Sequence, residues 1–367
     1  MTSIEKRVMK GVVLTGHGGL EKLEYRDNLS LPIPADNEVL IKVHAAGVNN
    51  TDINTRIGWY SKTVTGDTQK ATEEGLSEKA NDGSWSGEPL SFPLVQGADC
   101  CGEIVAVGSS VNERRIGERV LVRSMQQHSD VVGSVHSITF GSECNGSFAQ
   151  YTTALAEESY PVNSDLTSIE LASFPCAYST AENMIDRARV RSGDTVLITG
   201  ASGGVGSAAI QLVKRRGAKV IAVSAKSKHD AVLAIGADQV LARETSLLSQ
   251  IDKESVDVVL DLVAGESWSE LIDVLKVRGR YAVAGAIAGP IVEMDVRTLY
   301  LKDLTFYGCT FQPAYVFENL VGYISDGEIK PLVSKVYDLK DIKQAQTDFL
   351  NKTYMGKLVL SVDTESR

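Results

Sequence analysis

The hydrophobic positions of this chain fall into two rhythms. Between residues 8 and 155 the apolar runs are short and end in glycine or polar clusters. Examples are Glu38-Val-Leu-Ile-Lys-Val-His44-Ala-Ala-Gly47, Gly97-Ala98-Asp99-Cys-Cys-Gly-Glu-Ile-Val-Ala-Val-Gly108, Gly117-Glu-Arg-Val-Leu-Val-Arg123 and Gly146-Ser-Phe-Ala-Gln-Tyr-Thr-Thr153. Many such runs in sequence predict short strands in a small barrel-like β unit. The alternation in 38–47 is imperfect, which predicts a well-buried strand, and His44 within it reads as a satisfied core or edge histidine. From about residue 166 the pattern changes. Ser168–Phe174 and Ala181–Ala188 have helical spacing. Strands are expected at 194–200, 218–224, 239–241, 256–263, 279–285 and 303–310, with helical segments between the first five. That alternation predicts a doubly wound parallel sheet. Asp338–Thr347 then reads as a helix, and Gly356-Lys-Leu-Val-Leu-Ser-Val362 as a final strand returning to the first unit.

One junction in this pattern carries chemistry. Thr195-Val-Leu-Ile-Thr-Gly200-Ala201-Ser202-Gly203-Gly204-Val205-Gly206-Ser207 runs from strand to glycine cluster to small-residue helix. Such glycines let the backbone turn sharply and approach a pyrophosphate, and the helix N-terminus offers it free N–H groups and a positive dipole end. Gly217 is placed to end that helix.

Composition narrows the field. With 367 residues, two domains are expected. The net charge of −10 argues against nucleic acid or an anionic membrane as the main partner. No apolar run approaches a transmembrane span, and Met1–Arg7 leads into strand-like Gly11-Val-Val-Leu rather than a signal-peptide core, so a cytoplasmic protein is expected. Five cysteines without CxxC spacing indicate neither a disulfide framework nor a structural zinc cluster. Residues 61–90 are dominated by polar residues and glycine, and read as a long solvated loop or lid.

In their order along the chain, Ala45-Ala-Gly-Val-Asn49-Asn50-Thr51-Asp52, Gly97–Gly108, Gly117-Glu-Arg-Val, Gly146-Ser-Phe-Ala-Gln-Tyr, Gly200–Gly206, Gly236-Ala-Asp238 and Gly356-Lys-Leu-Val-Leu resemble the medium-chain dehydrogenase/reductase superfamily, and within it the zinc-free, quinone oxidoreductase-like branch. The resemblance covers everything except 61–90. It implies an α/β protein with a GroES-like β-rich catalytic domain (1–158 and 316–367) and a doubly wound Rossmann domain (159–315). Nicotinamide and substrate are then expected in the cleft between them.

Zinc-dependent relatives carry Gly-Val-Cys-His-Thr-Asp and Gly-His-Glu where this chain has Gly47-Val-Asn49-Asn50-Thr51-Asp52 and Gly97-Ala98-Asp99. Of the usual three ligands only Cys176 remains, and a catalytic zinc needs three protein donors. No metal is expected, with Asp52, Asp99 and Cys176 as the one conceivable substitute set. Cys176 reads either as a packed small hydrophobe or as a reactive thiol. An NAD site usually has a carboxylate about 20 residues past the glycine motif. Here Ser224-Ala-Lys226-Ser-Lys228-His229 has none before Asp230, and serine with two lysines suits the 2′-phosphate of NADPH. The alternative is a solvated helix start, but cations there oppose the dipole. By the resemblance, Asn49 and Thr180 approach the nicotinamide, while Val263 and Gly285 end strands four and five at the crevice. Asp261, on strand four, reads as structural.

Without a metal the acceptor must be polarised by hydrogen bonds, which suits hydride transfer to a quinone or α,β-unsaturated carbonyl. Tyr60 is the candidate hydrogen-bond donor or proton source, with pocket wall as its other reading, and Asn50 is a second candidate. Alternatives are a 2-enoyl-thioester reductase, a zinc-type alcohol dehydrogenase with atypical ligands, and an NADPH-binding sensor or crystallin-like protein with little turnover. By analogy a homodimer is expected, formed along Asp303–Thr310.

Overall fold

The computed structural model describes residues 8–74, 82–126 and 138–362. Six strands, all paired in parallel, form one sheet in the order Gln239–Ala242, Lys219–Ser224, Thr195–Ile198, Val256–Asp261, Leu275–Val283, Thr305–Gly308. Numbered along the chain this is 3-2-1-4-5-6, so the order reverses beside Thr195–Ile198 and opens a crevice there. The three central strands are buried on both faces because they are nearly all apolar: Val196, Leu197, Ile198, Val220, Val258, Val259 and Leu260 are inaccessible or nearly so. The expected strands are all present, with ends shifted by a few residues. One expectation is corrected: the connection from Gln239–Ala242 to Val256–Asp261 holds a 3₁₀ turn at Leu247–Ser249 instead of a helix. The segment is rich in Ser and Thr, which compete for nearby backbone groups: Ser249 Oγ donates to the Ser246 carbonyl.

The remaining strands build the β-rich unit. Glu38–Val48 is its spine, pairing with Cys101–Val107, Tyr151–Leu155 and Lys357–Ser361. The last strand thus returns to the beginning of the chain, and Val333–Asp338 adds outside it. A separate sheet joins Val8–Leu14 to Leu23–Ser30 and Leu94–Val95. His44 bonds Ser168 Oγ through Nδ1 at 3.3 Å, the satisfied role expected of it. The helix expected at 181–188 spans Pro175–Arg187, begun by a proline whose missing N–H costs nothing in the first turn.

The described parts of the polar stretch 61–90, residues 61–74 and 82–90, are more ordered than its composition indicates. Thr68–Glu74 is a helix, and Ala71 packs with Ile53, Ile57, Trp59 and Val64. A few apolar anchors, spaced to meet one helix face, are enough. Residues 75–81 lie outside the described residues.

At the glycine turn, Gly200 has φ +58, the left-handed region that glycine tolerates. The helix Gly204–Arg215 starts there, and Gly217, at φ +73, terminates it as expected. Gly206 lies against the turn itself: a Cβ there would sit 2.3 Å from the Gly200 carbonyl oxygen and 2.6 Å from Ala201 Cα. Neither neighbour is a flexible side chain. Gly206→Ala is therefore expected to cost about 2 kcal/mol through overpacking, read as a lower urea midpoint at unchanged m-value. An unchanged midpoint would show that this turn has room the geometry denies.

Candidate active site

The first-turn N–H groups of Gly204–Arg215 receive no side-chain cap, because the N-cap is Gly203. Gly203 is exposed, and a Cβ on it would meet only the Gly200 oxygen at 3.4 Å. Uncapped donors over open space fit an anionic pyrophosphate. Gly200, Ala201, Ser202, Gly203, Gly204, Val205 and Gly206 are thus brought together as expected. Val263 N donates to Asp261 Oδ1, and Gly285 sits so close to the Leu262 carbonyl that a Cβ would lie 2.9 Å from its oxygen. Asp261 also accepts from Thr199 Oγ1, Tyr281 Oη and Ala264 N, so it organises the crevice loop. Thr180 donates to the Cys176 carbonyl and accepts from Gln312 Nε2. Gln312 Oε1 is buried with no partner among the described residues. So is Asn50 Oδ1. These two orphan acceptors fit the donors of a bound nicotinamide nucleotide.

Around the positions that match the zinc ligands, Asn49, Ala98 and Cys176, stands a buried charge cluster. Lys357, 2% exposed, places its Nζ 2.8 Å from Asp99 Oδ2, 2.5 Å from Asn49 Oδ1 and 3.0 Å from the Val48 carbonyl oxygen. Asp99 is fully buried and also accepts from Asn49 Nδ2 and Cys176 N. Asp52 accepts from Asn49 N and Ala98 N, making the capping box that starts the helix Asn50–Ile57. Burial, and secondarily the nearby Asp99, push the Asp52 carboxyl up to about 7, against the opposing Asn49 N–H and the Lys357 charge. The Cys176 thiol is pushed up to about 12, first by burial and then by Asp99, so it is no activated nucleophile. Both carboxylates already hold N–H donors, and an ammonium stands among them. No group of three His, Cys, Asp or Glu among the described residues is arranged to hold a metal. The donor set does not fit zinc.

Tyr60 does not have a free hydroxyl. It donates to Thr51 Oγ1 at 3.1 Å, and Trp85 Nε1 donates to the same oxygen at 3.1 Å. Burial pushes the Tyr60 phenol up to about 12, which makes it a poor acid at neutral pH. A threonine hydroxyl has two acceptor sites and one proton. Here both acceptor sites are taken, so Thr51 retains its own proton to donate. Sequence reasoning missed this, because the Trp85 contact comes from 34 residues away.

At the adenosine end, Lys226–Lys228 is a 3₁₀ turn after the strand Lys219–Ser224. Ser224 is buried and Lys226 exposed. Lys228 Nζ donates to the carbonyls of Lys352 (2.6 Å) and Tyr354 (3.0 Å), so it ties the sheet unit to the C-terminal segment instead of standing free. Burial and the charge of Arg243 lower its pKa. Arg243 follows the neighbouring strand, and its N–H bonds the Ser224 carbonyl. It is a cation that sequence reading missed, since it lies well past the usual spacing. Lys357 had a visible signal: a lysine inside the apolar run Gly356–Val362 must find a buried partner.

Comparison with known proteins bears on this geometry. Residues 35–164 match the family model of the alcohol dehydrogenase GroES-like domain, and 204–326 that of zinc-binding dehydrogenase. Over 97% of its length the chain is 28% identical to the quinone oxidoreductase of Mus musculus, covering 98% of that protein. It is 27% identical to the acryloyl-coenzyme A reductase of Metallosphaera sedula, covering 96% of this chain and all of that one. A solved Sinorhizobium meliloti protein assigned as an alcohol dehydrogenase is 43% identical, with a TM-score of 0.86 over 99% of both chains. With its GroES-like unit, its parallel nucleotide-binding sheet and these relatives, the chain belongs to the medium-chain dehydrogenase/reductase superfamily, as a quinone oxidoreductase-like member of this nicotinamide-dependent oxidoreductase family.

Proposed function

We propose that the protein is an NADPH-dependent, metal-independent reductase of quinones or other α,β-unsaturated carbonyls. The observation that carries this reading is the Lys357 ammonium, bonded to Asp99 and Asn49 among the residues that match the zinc-ligand positions. An ammonium cannot serve as a Lewis acid toward a carbonyl. The acceptor must then be one whose developing charge is spread by conjugation and needs only hydrogen-bond help. NADPH, held by Gly200–Gly206 with Asn49, Asn50, Thr180 and Gln312 toward its nicotinamide, would supply the hydride. Thr51 is the residue with a proton to offer the substrate oxygen, and Tyr60 holds Thr51 in that orientation. Lys226, Arg243 and Ser224 provide the setting for a 2′-phosphate, with the Lys228 charge behind them. The outer edge of Thr305–Gly308, last in the six-stranded sheet, is the edge along which we propose that a homodimer forms.

The first test is NADPH oxidation against 1,4-benzoquinone, short enones and crotonyl-coenzyme A, with and without chelator. Turnover of quinones or enones unaffected by chelator is expected, and Thr51→Val should lower kcat about 100-fold, the scale of a lost hydrogen-bond donor at a developing oxyanion. Preference for the thioester would instead favour the enoyl-thioester reading suggested by the Metallosphaera relative. Dependence on stoichiometric zinc would overturn the proposal.

Cofactor choice is tested separately. Lys226→Ala with Arg243→Ala should weaken NADPH binding about tenfold or more, while NADH binding changes less than twofold. Equal losses for both cofactors would remove these residues from phosphate recognition.

The buried cluster has its own signature. Asp52 in the folded protein keeps a proton up to about pH 7, whereas in the unfolded chain it loses it near pH 4. The folded state therefore binds the extra proton between these values, and its Asp52 contribution to stability declines as pH rises from about 4 through 7. In Asp52→Asn that decline should disappear, so the melting temperature of the wild type falls relative to that of the variant from pH 5 to 7.5. A constant difference across that range would show that Asp52 titrates normally.

A further inference from the structure

The segment that the family pattern leaves unplaced has an ordered aromatic end. Trp59, Tyr60 and Trp85 form a chain of edge-to-face rings, with centroids 5.8 Å apart between Trp59 and Tyr60 and 5.9 Å between Tyr60 and Trp85. Trp85 lies in the turn Asp82–Glu88, which is held from several sides. Asp82 Oδ2 accepts from Lys62 N, Ser84 Oγ donates to the Glu88 carbonyl, and Ser86 N donates to Glu143 Oε1. The other described part of the segment reaches the opposite wall of the cleft: Thr68 N bonds the Ile287 carbonyl at 3.3 Å, two residues past Gly285. The segment therefore runs from the Thr51–Tyr60 group to the loop beyond strand five.

Trp85 is half-buried, and its one polar group is spent on Thr51 Oγ1. What remains of the ring is a rigid apolar face beside the hydroxyl that the proposed reaction uses. An aromatic face of this kind rewards a flat ligand through area burial and ring–ring contact. We propose that Trp85 is a specificity-determining residue, and that residues 61–69 and 82–88 form an outer substrate wall selecting flat, fused-ring conjugated carbonyls over small open-chain ones. This rests on the reading of the site as a carbonyl reductase.

The test compares wild type, Trp85→Phe and Trp85→Ala in two measurements. Calorimetric binding of 9,10-phenanthrenequinone to the NADP⁺-loaded protein should weaken about tenfold in Trp85→Ala and less than threefold in Trp85→Phe, with NADP⁺ affinity itself unchanged. Both variants lose the Trp85 bond to Thr51 and so share any fall in kcat; in steady-state assays KM for the same quinone should be several-fold higher in Trp85→Ala than in Trp85→Phe, while the two variants' KM values for 3-penten-2-one stay within twofold of each other. Wild-type binding that depends on Trp85 without turnover would support the wall and reject the reductase reading. Unaltered quinone binding in Trp85→Ala, or the same loss for both substrates, would overturn the proposal whatever the activity.

Discussion

The ion pair between Lys357 and Asp99 is the contact around which the candidate site is arranged. Both groups are removed from water, and an unpaired buried charge of either sign would be strongly destabilising. The pair is distant in sequence. Asp99 ends the turn before Cys101–Val107, while Lys357 begins the last strand. One residue earlier, Gly356 N donates to the Ser202 carbonyl in the glycine turn, and a Cβ on Gly204 would lie 2.9 Å from Lys357 Cδ. The lysine stem thus passes along the nucleotide turn and ends among the β-unit acids. One side chain touches both the glycine turn and the buried acids of the β-rich unit.

The charge count explains the neighbours. Asp52 and Asp99 face a single ammonium, so full ionisation would leave an excess negative charge in a dry pocket. The protein answers with N–H donors from Asn49, Ala98 and Cys176, and with an Asp52 carboxyl that gives up its proton late. A divalent ion in this place would bind water and raise its acidity. A fixed ammonium, already bonded to three oxygens, does neither. The cluster therefore positions Asn49 and the start of Asn50–Ile57, the first turn of which carries Thr51.

Much of this was legible in the sequence because it is local. The glycine turn, the parallel strands and the missing zinc ligands are each written in one contiguous stretch. What was not legible depends on distant pairings. Tyr60 looked like the donor because its own neighbourhood does not show that Thr51 takes its proton. Lys228 looked free because its partners, the Lys352 and Tyr354 carbonyls, are more than 120 residues away. Residues 61–90 looked solvated because composition averages over a stretch in which Ala71, Trp59 and Val64 suffice to fix a helix. The 239–256 connection failed for the opposite reason: a general alternation of helix and strand was extended to a segment whose own residues favour turns.

Among the polar ties that cross between the sheet unit and the β-rich unit, three mark successive stations of the nucleotide crevice. Lys228 reaches the Lys352 and Tyr354 carbonyls near the adenosine end. Gly356 and Lys357 meet the glycine turn at the middle. Thr68 meets Ile287 beyond the end of strand five. Below the crevice the two units share apolar packing, with Ala45, Cys101, Leu121 and Val359 in one cluster with Val196, Ile198 and Ala201. Apolar packing in the crevice itself would resist a charged dinucleotide, since binding would have to desolvate it against hydrocarbon. Directed bonds there keep the walls in register while leaving polar space between them. On the proposed reading, cofactor choice rests with Lys226 and Arg243, which follow the strands, and substrate choice with side chains of the β-rich unit, with the Lys357 stem passing along the glycine turn between them.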